Sequence, residues 1–334
     1  MAIQVNDDRM TLAVAGAPQI YLSGAIDADA PRRVEALIRS WKIPPRSDVY
    51  LDSPGGDVNA GIALGRLFRT SSMTTHLGTP RRRQHSPSIP APALCLDACA
   101  FAYFGGLYRW APTGRDRIGL HGLSAMKTNS TGGDPAQRAA GVASYLKDMG
   151  IDAATLAPTP TASGDAMAWL SAEPMLSAGL ANNGRLPLTA TYQLSPGSAY
   201  LALNQIVRNG VYRMTIMCKP DGLTLTSYYI VGADRARKIA MRGRRSFFEV
   251  DGREALPPQR TSVTTLNEAI VTSRPYPSTQ LARLVNGRSM GAWLTDSNAV
   301  RYGFTIWLAP VRNSLREYAA RCDQVMQRPA TRSP

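Results

Sequence analysis

Cys95-Leu96-Asp97-Ala98-Cys99-Ala100-Phe101-Ala102-Tyr103-Phe104-Gly105-Gly106 is the stretch on which the fold turns. Its first residues read as a tight turn. The apolar run after Asp97 reads as a buried helix reaching about Tyr108. Some forty residues upstream lies Ser53-Pro54-Gly55-Gly56-Asp57-Val58, which follows the apolar strand Val49-Tyr50-Leu51 and opens a helix from Val58 to about Arg69. Two glycines at such a turn let backbone N–H groups face a cleft, where they can hold an oxyanion. Downstream come Ile118-Gly119-Leu120-His121, read as a strand, and Trp169-Leu170-Ser171-Ala172-Glu173, followed by Ala178-Gly179-Leu180.

Around these motifs strand and helix signals alternate. Residues 20–26 read as a strand. Residues 30–41 read as a helix with Val34, Leu37, Ile38 and Trp41 on one face, and Val58, Ile62 and Phe68 point inward from the next helix. Met73 to Leu77 is a strand. Residues 79–94 are a loop with four prolines and the run Arg81-Arg82-Arg83, and residues 135–149 are a helix ending at Gly150. This order predicts a stacked, mostly parallel α/β domain over residues 1–190.

From about residue 195 hairpin signals take over. Asn209-Gly210 separates strand-like runs 199–207 and 211–218, and Pro220-Asp221-Gly222 leads into 223–231. Asp251-Gly252 follows Ser246-Phe247-Phe248-Glu249-Val250. Phe304 to Leu308 reads as a late strand, and Pro310 opens a final helix with Leu315, Tyr318, Ala319, Cys322 and Val325 as its stripe. Residues 195–330 therefore read as an antiparallel sheet closed by a C-terminal helix.

Composition bounds the function classes. The chain has 334 residues, and its 44% hydrophobic content supports a real core. No run of about 18 apolar residues predicts a membrane span. The opening Met1-Ala2-Ile3-Gln4-Val5-Asn6-Asp7-Asp8 is not a secretory signal, so the expectation is a cytosolic chain or one whose signal lies upstream or was removed. Charge is uneven: residues 1–190 carry 18 Lys/Arg against 15 Asp/Glu, and residues 191–334 carry 20 against 9. The basic second half can meet an acidic partner or simply be a solvated surface, and no specific nucleic-acid motif accompanies it. Cys95, Cys99, Cys218 and Cys322 form no CxxC pair. Their even count suits two disulfides in an oxidising compartment, with four buried thiols as the alternative. Cys218 with Cys322 would close a loop of about a hundred residues, and Cys95 with Cys99 would bridge across Asp97.

In order and spacing the motifs resemble the Clp protease family, over roughly residues 18–182. The nearest likeness is to its periplasmic or secreted bacterial branch, whose corresponding turn usually reads Cys-Ala-Ser-Ala-Cys. The resemblance implies a ClpP/crotonase-like ββα superhelix, a periplasmic or secreted location and a homo-oligomer. It puts His121 at the general base, Gly56 and Ala98 at the oxyanion-hole amides, and Ser53, Pro54 and Gly55 along the cleft. Asp97 stands where the family carries its nucleophilic serine. The family's third acid falls on Met167, with Asp165 two residues away, so the triad departs from the pattern at two of three places.

Asp97 itself reads in three ways: an N-cap of the helix it opens, a catalytic acid/base acting with His121, or an inactivating substitution, natural or engineered. A carboxylate cannot replace the serine by the same route, because it has no hydroxyl proton to give the imidazole. It can compete with a substrate's developing negative charge. His121 is a base or a retained core histidine, while His76 and His85 have no motif context. The arginine run gates the cleft or is a solvated insertion. Cys95 or Cys99 as a substitute nucleophile is the weakest option, since the histidine is placed for position 97. Three functional readings follow. The first, adopted here, is a degenerate Clp-like serine peptidase, a pseudoenzyme binding peptide or protein in the ancestral cleft. The second is an active periplasmic hydrolase using His121 with Asp97, Ser53 or Ser124. The third is a crotonase-type acyl-thioester enzyme, which would need a coenzyme A adenine site that the sequence does not display. No cofactor and no metal are expected.

Overall fold

A computed structural model of the chain describes residues 1–80, 91–121, 135–156, 167–195, 197–255, 259–260 and 263–327. The arginine run 81–83, His85, Ser124 and Asp165 lie outside them. The chain divides into two units, Met1–Gly184 and Arg185–Pro334.

The first unit is mixed α/β. In chain order it contains β1 (Ala2–Asn6), α1 (Arg9–Ala15), β2 (Gln19–Ser23), α2 (Ala30–Arg39), β3 (Asp48–Asp52), α3 (Val58–Thr70), β4 (Thr74–Leu77), β5 (Leu94–Leu96), α4 (Ala98–Phe104), β6 (Tyr108–Arg109), β7 (Arg117–Leu120), α5 (Pro135–Asp148), β8 (Ala168–Leu170) and α6 (Ala172–Ser177). One sheet has the order β1-β2-β3-β4-β6, and a smaller one the order β5-β7-β8. β2, β3, β4 and β6 run parallel, while β1 pairs antiparallel with β2.

Strand alternation separates the faces of the larger sheet. Ile20, Leu22, Val49 and Leu51 enter the core with Leu64 and Phe68 of α3. On the opposite face, Tyr21, Tyr50, His76 and Trp110 stack in a row with ring centroids 4.8, 4.7 and 5.2 Å apart. His76 also meets Asp48 at 2.8 Å through Nε2. That row takes one ring from each of three in-register parallel strands plus the residue after β6, which no local pattern announces.

Helices α3 and α4 lie close because glycines line their contact. A side-chain carbon at Gly61 would fall 2.2 Å from the Ala98 carbonyl, and one at Gly105 would fall 2.2 Å from Gly65. Two arginines without a carboxylate partner in these contacts gather the carbonyls at the end of α4. Arg69 donates to Gly105, Gly106 and Met149. Buried Arg109 donates to Phe104, Gly106, Gly179 and Leu180, and so anchors the Ala178-Gly179-Leu180 segment. Burial, reinforced by nearby Arg69, pulls the Arg109 pKa down to about 10.

Several expected boundaries move. The helix over 30–41 stops at Arg39, and Trp41, expected on its buried face, has φ 58° and is 73% exposed. The helix after Asp97 ends at Phe104 because Gly105-Gly106 and the two arginines close it; Tyr108 belongs to β6. The strand over 20–26 ends at Ser23, although Ile26 forms an isolated bridge to Gly56.

The second unit holds two antiparallel sheets where one was expected. The first comprises β9 (Thr189–Ser195), β10 (Ser198–Val207), β11 (Gly210–Lys219), β12 (Gly222–Ile230), β16 (Val263–Leu266) and β17 (Ala269–Tyr276), in the order β16-β17-β12-β11-β10-β9. The second comprises β13 (Arg245–Val250), β14 (Arg253–Glu254), β18 (Ser289–Thr295) and β19 (Arg301–Trp307), in the order β14-β13-β18-β19, with β15 (Gln259–Arg260) also paired to β13. Helices α7 (Ala233–Arg242) and α8 (Leu281–Asn286) were not anticipated. The last helix, α9 (Arg312–Met326), buries Leu315, Tyr318, Cys322 and Val325 as its stripe predicts. Pro310 lies in the preceding 3-10 turn, Ala309–Val311, instead of in the helix itself. Cys218 and Cys322 are disulfide-bonded, tying β11 to α9.

Candidate functional site

Asp97 is the hinge of a strand–turn–helix elbow. It follows β5, precedes α4, and has φ 45° and ψ −104°, a backbone conformation costly for any residue with a side chain. Its N–H donates to Gly119 of β7 at 3.0 Å, and its carbonyl accepts from Phe101 at 3.1 Å. The Cys95–Cys99 disulfide closes over it, with Cα atoms 5.1 Å apart. Both sulfurs are engaged, so neither cysteine is a thiol nucleophile here.

The N-cap reading of Asp97 is overturned. Its side chain makes no capping bond to α4. An N-cap needs extended backbone so that the carboxylate curls over the first amides of the helix. Asp57 has that conformation, with φ −72° and ψ 116°, and caps α3 through Ala60 N–H at 2.9 Å. At φ 45° the Asp97 carboxylate instead turns toward β7. Oδ1 accepts the His121 backbone N–H at 2.8 Å, and Oδ2 lies 2.8 Å from His121 Nδ1. The two side chains are 19% and 33% exposed respectively. Nε2 of His121 has no hydrogen-bond partner among the described residues.

The Ser53–Asp57 turn lies beside this pair. Gly55 and Gly56 have φ 104° and 134°. A side-chain carbon at Gly55 would sit 3.8 Å from Asp97 Cβ, and one at Gly56 would sit 2.2 Å from the Ile26 carbonyl. The positive φ favours glycine at both positions, and at Gly56 the Ile26 carbonyl leaves no room for a side chain. Gly55 is buried, whereas Pro54 and Gly56 reach the surface. Ser53 is buried and its hydroxyl is spent within the turn, accepting from Gly55 N–H at 3.2 Å and donating to Gly55 O at 3.1 Å. That bonding removes support for Ser53 as a nucleophile. Neither Gly56 nor buried Ala98 donates its N–H to an acceptor among the described residues.

Met167 stands next to β7. β8 pairs antiparallel with β7, and the last pair sets Leu120 opposite Ala168, the residue after Met167. A side-chain carbon at Gly119 would come within 2.6 Å of Met167 Sδ. The imidazole takes its carboxylate partner from the elbow, and Met167, where the resemblance expects the third acid, is a thioether beside Gly119. Chemically, Asp97 orients the ring, but it supplies no hydroxyl for attack. Among the described residues no group of three or more His, Cys, Asp or Glu could hold a metal ion.

No protein-family model and no curated protein matches this chain. Among solved structures, it is similar to a mutant of a membrane-bound stomatin-specific protease, at 15% identity over 48% of this chain and 75% of that one, with a TM-score of 0.33. It is also similar to a mutant of ClpP1 from Listeria monocytogenes, at 14% identity over 52% of this chain and 94% of that one, with a TM-score of 0.31.

Proposed function

We propose that the first unit is a disarmed Clp-like serine peptidase domain that binds peptide or protein in its cleft without cutting it. The observation that carries this reading is the Asp97–His121 pair. The residue at the elbow has no hydroxyl, and its carboxylate occupies the ring nitrogen that an orienting acid would hold in a working triad. The ordered motifs, the glycine turn and the undonated Gly56 and Ala98 amides support the ancestral assignment: His121 as former base, Gly56 and Ala98 as oxyanion-hole amides, Ser53, Pro54 and Gly55 as cleft wall. On this reading residues 1–190 form the ββα-superhelix domain, and residues 195–330 form a binding or assembly module whose basic surface takes an acidic partner. Two disulfides favour a periplasmic or secreted location. A homo-oligomer is proposed from the resemblance alone. The test is a panel of fluorogenic peptides and casein at several pH values. Binding measured by anisotropy without cleavage supports the reading. Hydrolysis that disappears in His121→Ala sinks it.

A second reading has one observation in its favour. With Nδ1 held by Asp97, Nε2 of His121 is left to take a proton from water. That water would attack an ester carbonyl, and the imidazolium would return the proton to the alkoxide leaving group. Hydrolysis of an activated ester that falls to the uncatalysed rate in both Asp97→Asn and His121→Ala would select this reading over the first.

A further inference from the structure

The outer face of the β14-β13-β18-β19 sheet carries a cavity of about 360 Å³, in the second unit and independent of the cleft above. Strand register builds it. Glu249 of β13, Gly291 of β18 and Thr305 of β19 lie in one row across the sheet. Above Gly291 three polar atoms converge. The space a side-chain carbon would fill there lies 2.7 Å from Trp293 Nε1, 3.2 Å from Thr305 Oγ1 and 3.3 Å from Glu249 Oε2. The glycine therefore keeps a polar floor open. The next row sets Ser289 opposite Trp307. Trp307 is 58% exposed at the rim of the cavity, where it presents an indole that the core does not use.

Charge decides the class of occupant. Glu249 is only 12% exposed, and its two oxygens accept from Trp293 Nε1 at 2.8 Å and from Arg301 at 2.7 Å. Asp251 Oδ1 is engaged by the Arg288 and Ser289 backbone amides. Glu249 is thus paired with the Arg301 guanidinium, Asp251 is held by backbone amides, and Arg288 in the cavity lining brings the formal charge of the four side chains to zero. A balanced site gains little from an ammonium or a phosphate. It offers spare carboxylate lone pairs, a hydroxyl and a guanidinium to a neutral ligand rich in hydroxyls, with an aromatic plate beside them. The volume is at the small end of ligand pockets, roughly 300–1,000 Å³, which suits one sugar ring.

We propose that this face is a carbohydrate site, in which Trp307 stacks on the apolar face of a pyranose while Glu249 and Thr305 hydrogen-bond its hydroxyls. The test uses the full chain with glucose, galactose, mannose and N-acetylglucosamine at millimolar concentration. Binding is read by saturation-transfer NMR and by quenching of tryptophan fluorescence. At least one sugar should give a saturable signal. Trp307→Ala, a surface change, and Thr305→Val should each weaken it tenfold or more while the circular dichroism stays unchanged. Gly291→Ala, which fills the floor, should abolish it. No signal from any of the four sugars, a signal that survives Trp307→Ala, or preferential binding of tetramethylammonium or inorganic phosphate would overturn the proposal.

Discussion

At the scale of single residues, the account rests on the backbone of Asp97 as much as on its carboxylate. The residue type and the motif around it are legible in the sequence, and so is its pairing with His121 as candidate partners. Its φ of 45° is not legible, because Asp before an apolar helix has the same local signature as the true cap Asp57. The conformation goes with the Cys95–Cys99 bridge around it, whose formation the residue pattern alone leaves open, and with a long-range hydrogen bond to Gly119. Two effects can be separated by mutation. Asp97→Ala should destabilise the first unit by about 2 kcal/mol, since it loses two charge-assisted hydrogen bonds while the strained backbone persists. Asp97→Gly should cost about 1 kcal/mol less than Ala, because glycine relieves the strain. Urea denaturation of the two variants checks the order, and equal stabilities would contradict it.

At the scale of elements, the existence and type of most strands and helices in the first unit could be read from periodicity, but their ends could not. Gly105-Gly106 and nearby Arg109 close α4 together with Arg69, 36 positions before Gly105, and the register of β7 with β8 sets Leu120 opposite Ala168, next to Met167. Two predictions belong here. Gly61→Ala should cost about 3 kcal/mol or more, because its methyl meets the rigid Ala98 carbonyl at 2.2 Å. Gly114→Ala, at φ 61° but in open space, should cost only about 1 kcal/mol of backbone strain. Thermal denaturation of the pair measures the difference. Arg109→Met should destabilise by about 3 kcal/mol, since the Gly179 and Leu180 carbonyls lose their arginine donor and those of Phe104 and Gly106 keep only Arg69. Its Tm should fall well below that of a surface control such as Arg32→Met.

At the scale of the whole molecule, hairpin signals begin in the sequence near residue 195, and the chain divides between Gly184 and Arg185. The second sheet of the second unit escaped notice because β18, Ser-Met-Gly-Ala-Trp-Leu-Thr, carries a glycine inside a weak alternation, and its pairing with β13 about forty residues upstream is non-local. The disulfides link scale to stability. Cys218 and Cys322 lie 104 residues apart, so their bond removes about 5 kcal/mol of unfolded-chain freedom in the loop-entropy treatment, against about 2 kcal/mol for the short Cys95–Cys99 loop. Cys218→Ser/Cys322→Ser should therefore lower the calorimetric transition of the second unit, while the first unit keeps its own. The central claim, however, concerns the cleft: that Asp97 disarms machinery otherwise laid out for acyl transfer. The most direct measurement is fluorophosphonate labelling with a parallel peptide assay on the natural chain, Asp97→Ser and Asp97→Ser/His121→Ala. The account predicts no labelling and no cleavage by the natural chain, slow labelling of Asp97→Ser in the absence of a third acid, and its loss in the double variant. His121-dependent peptide cleavage by the natural chain would contradict it.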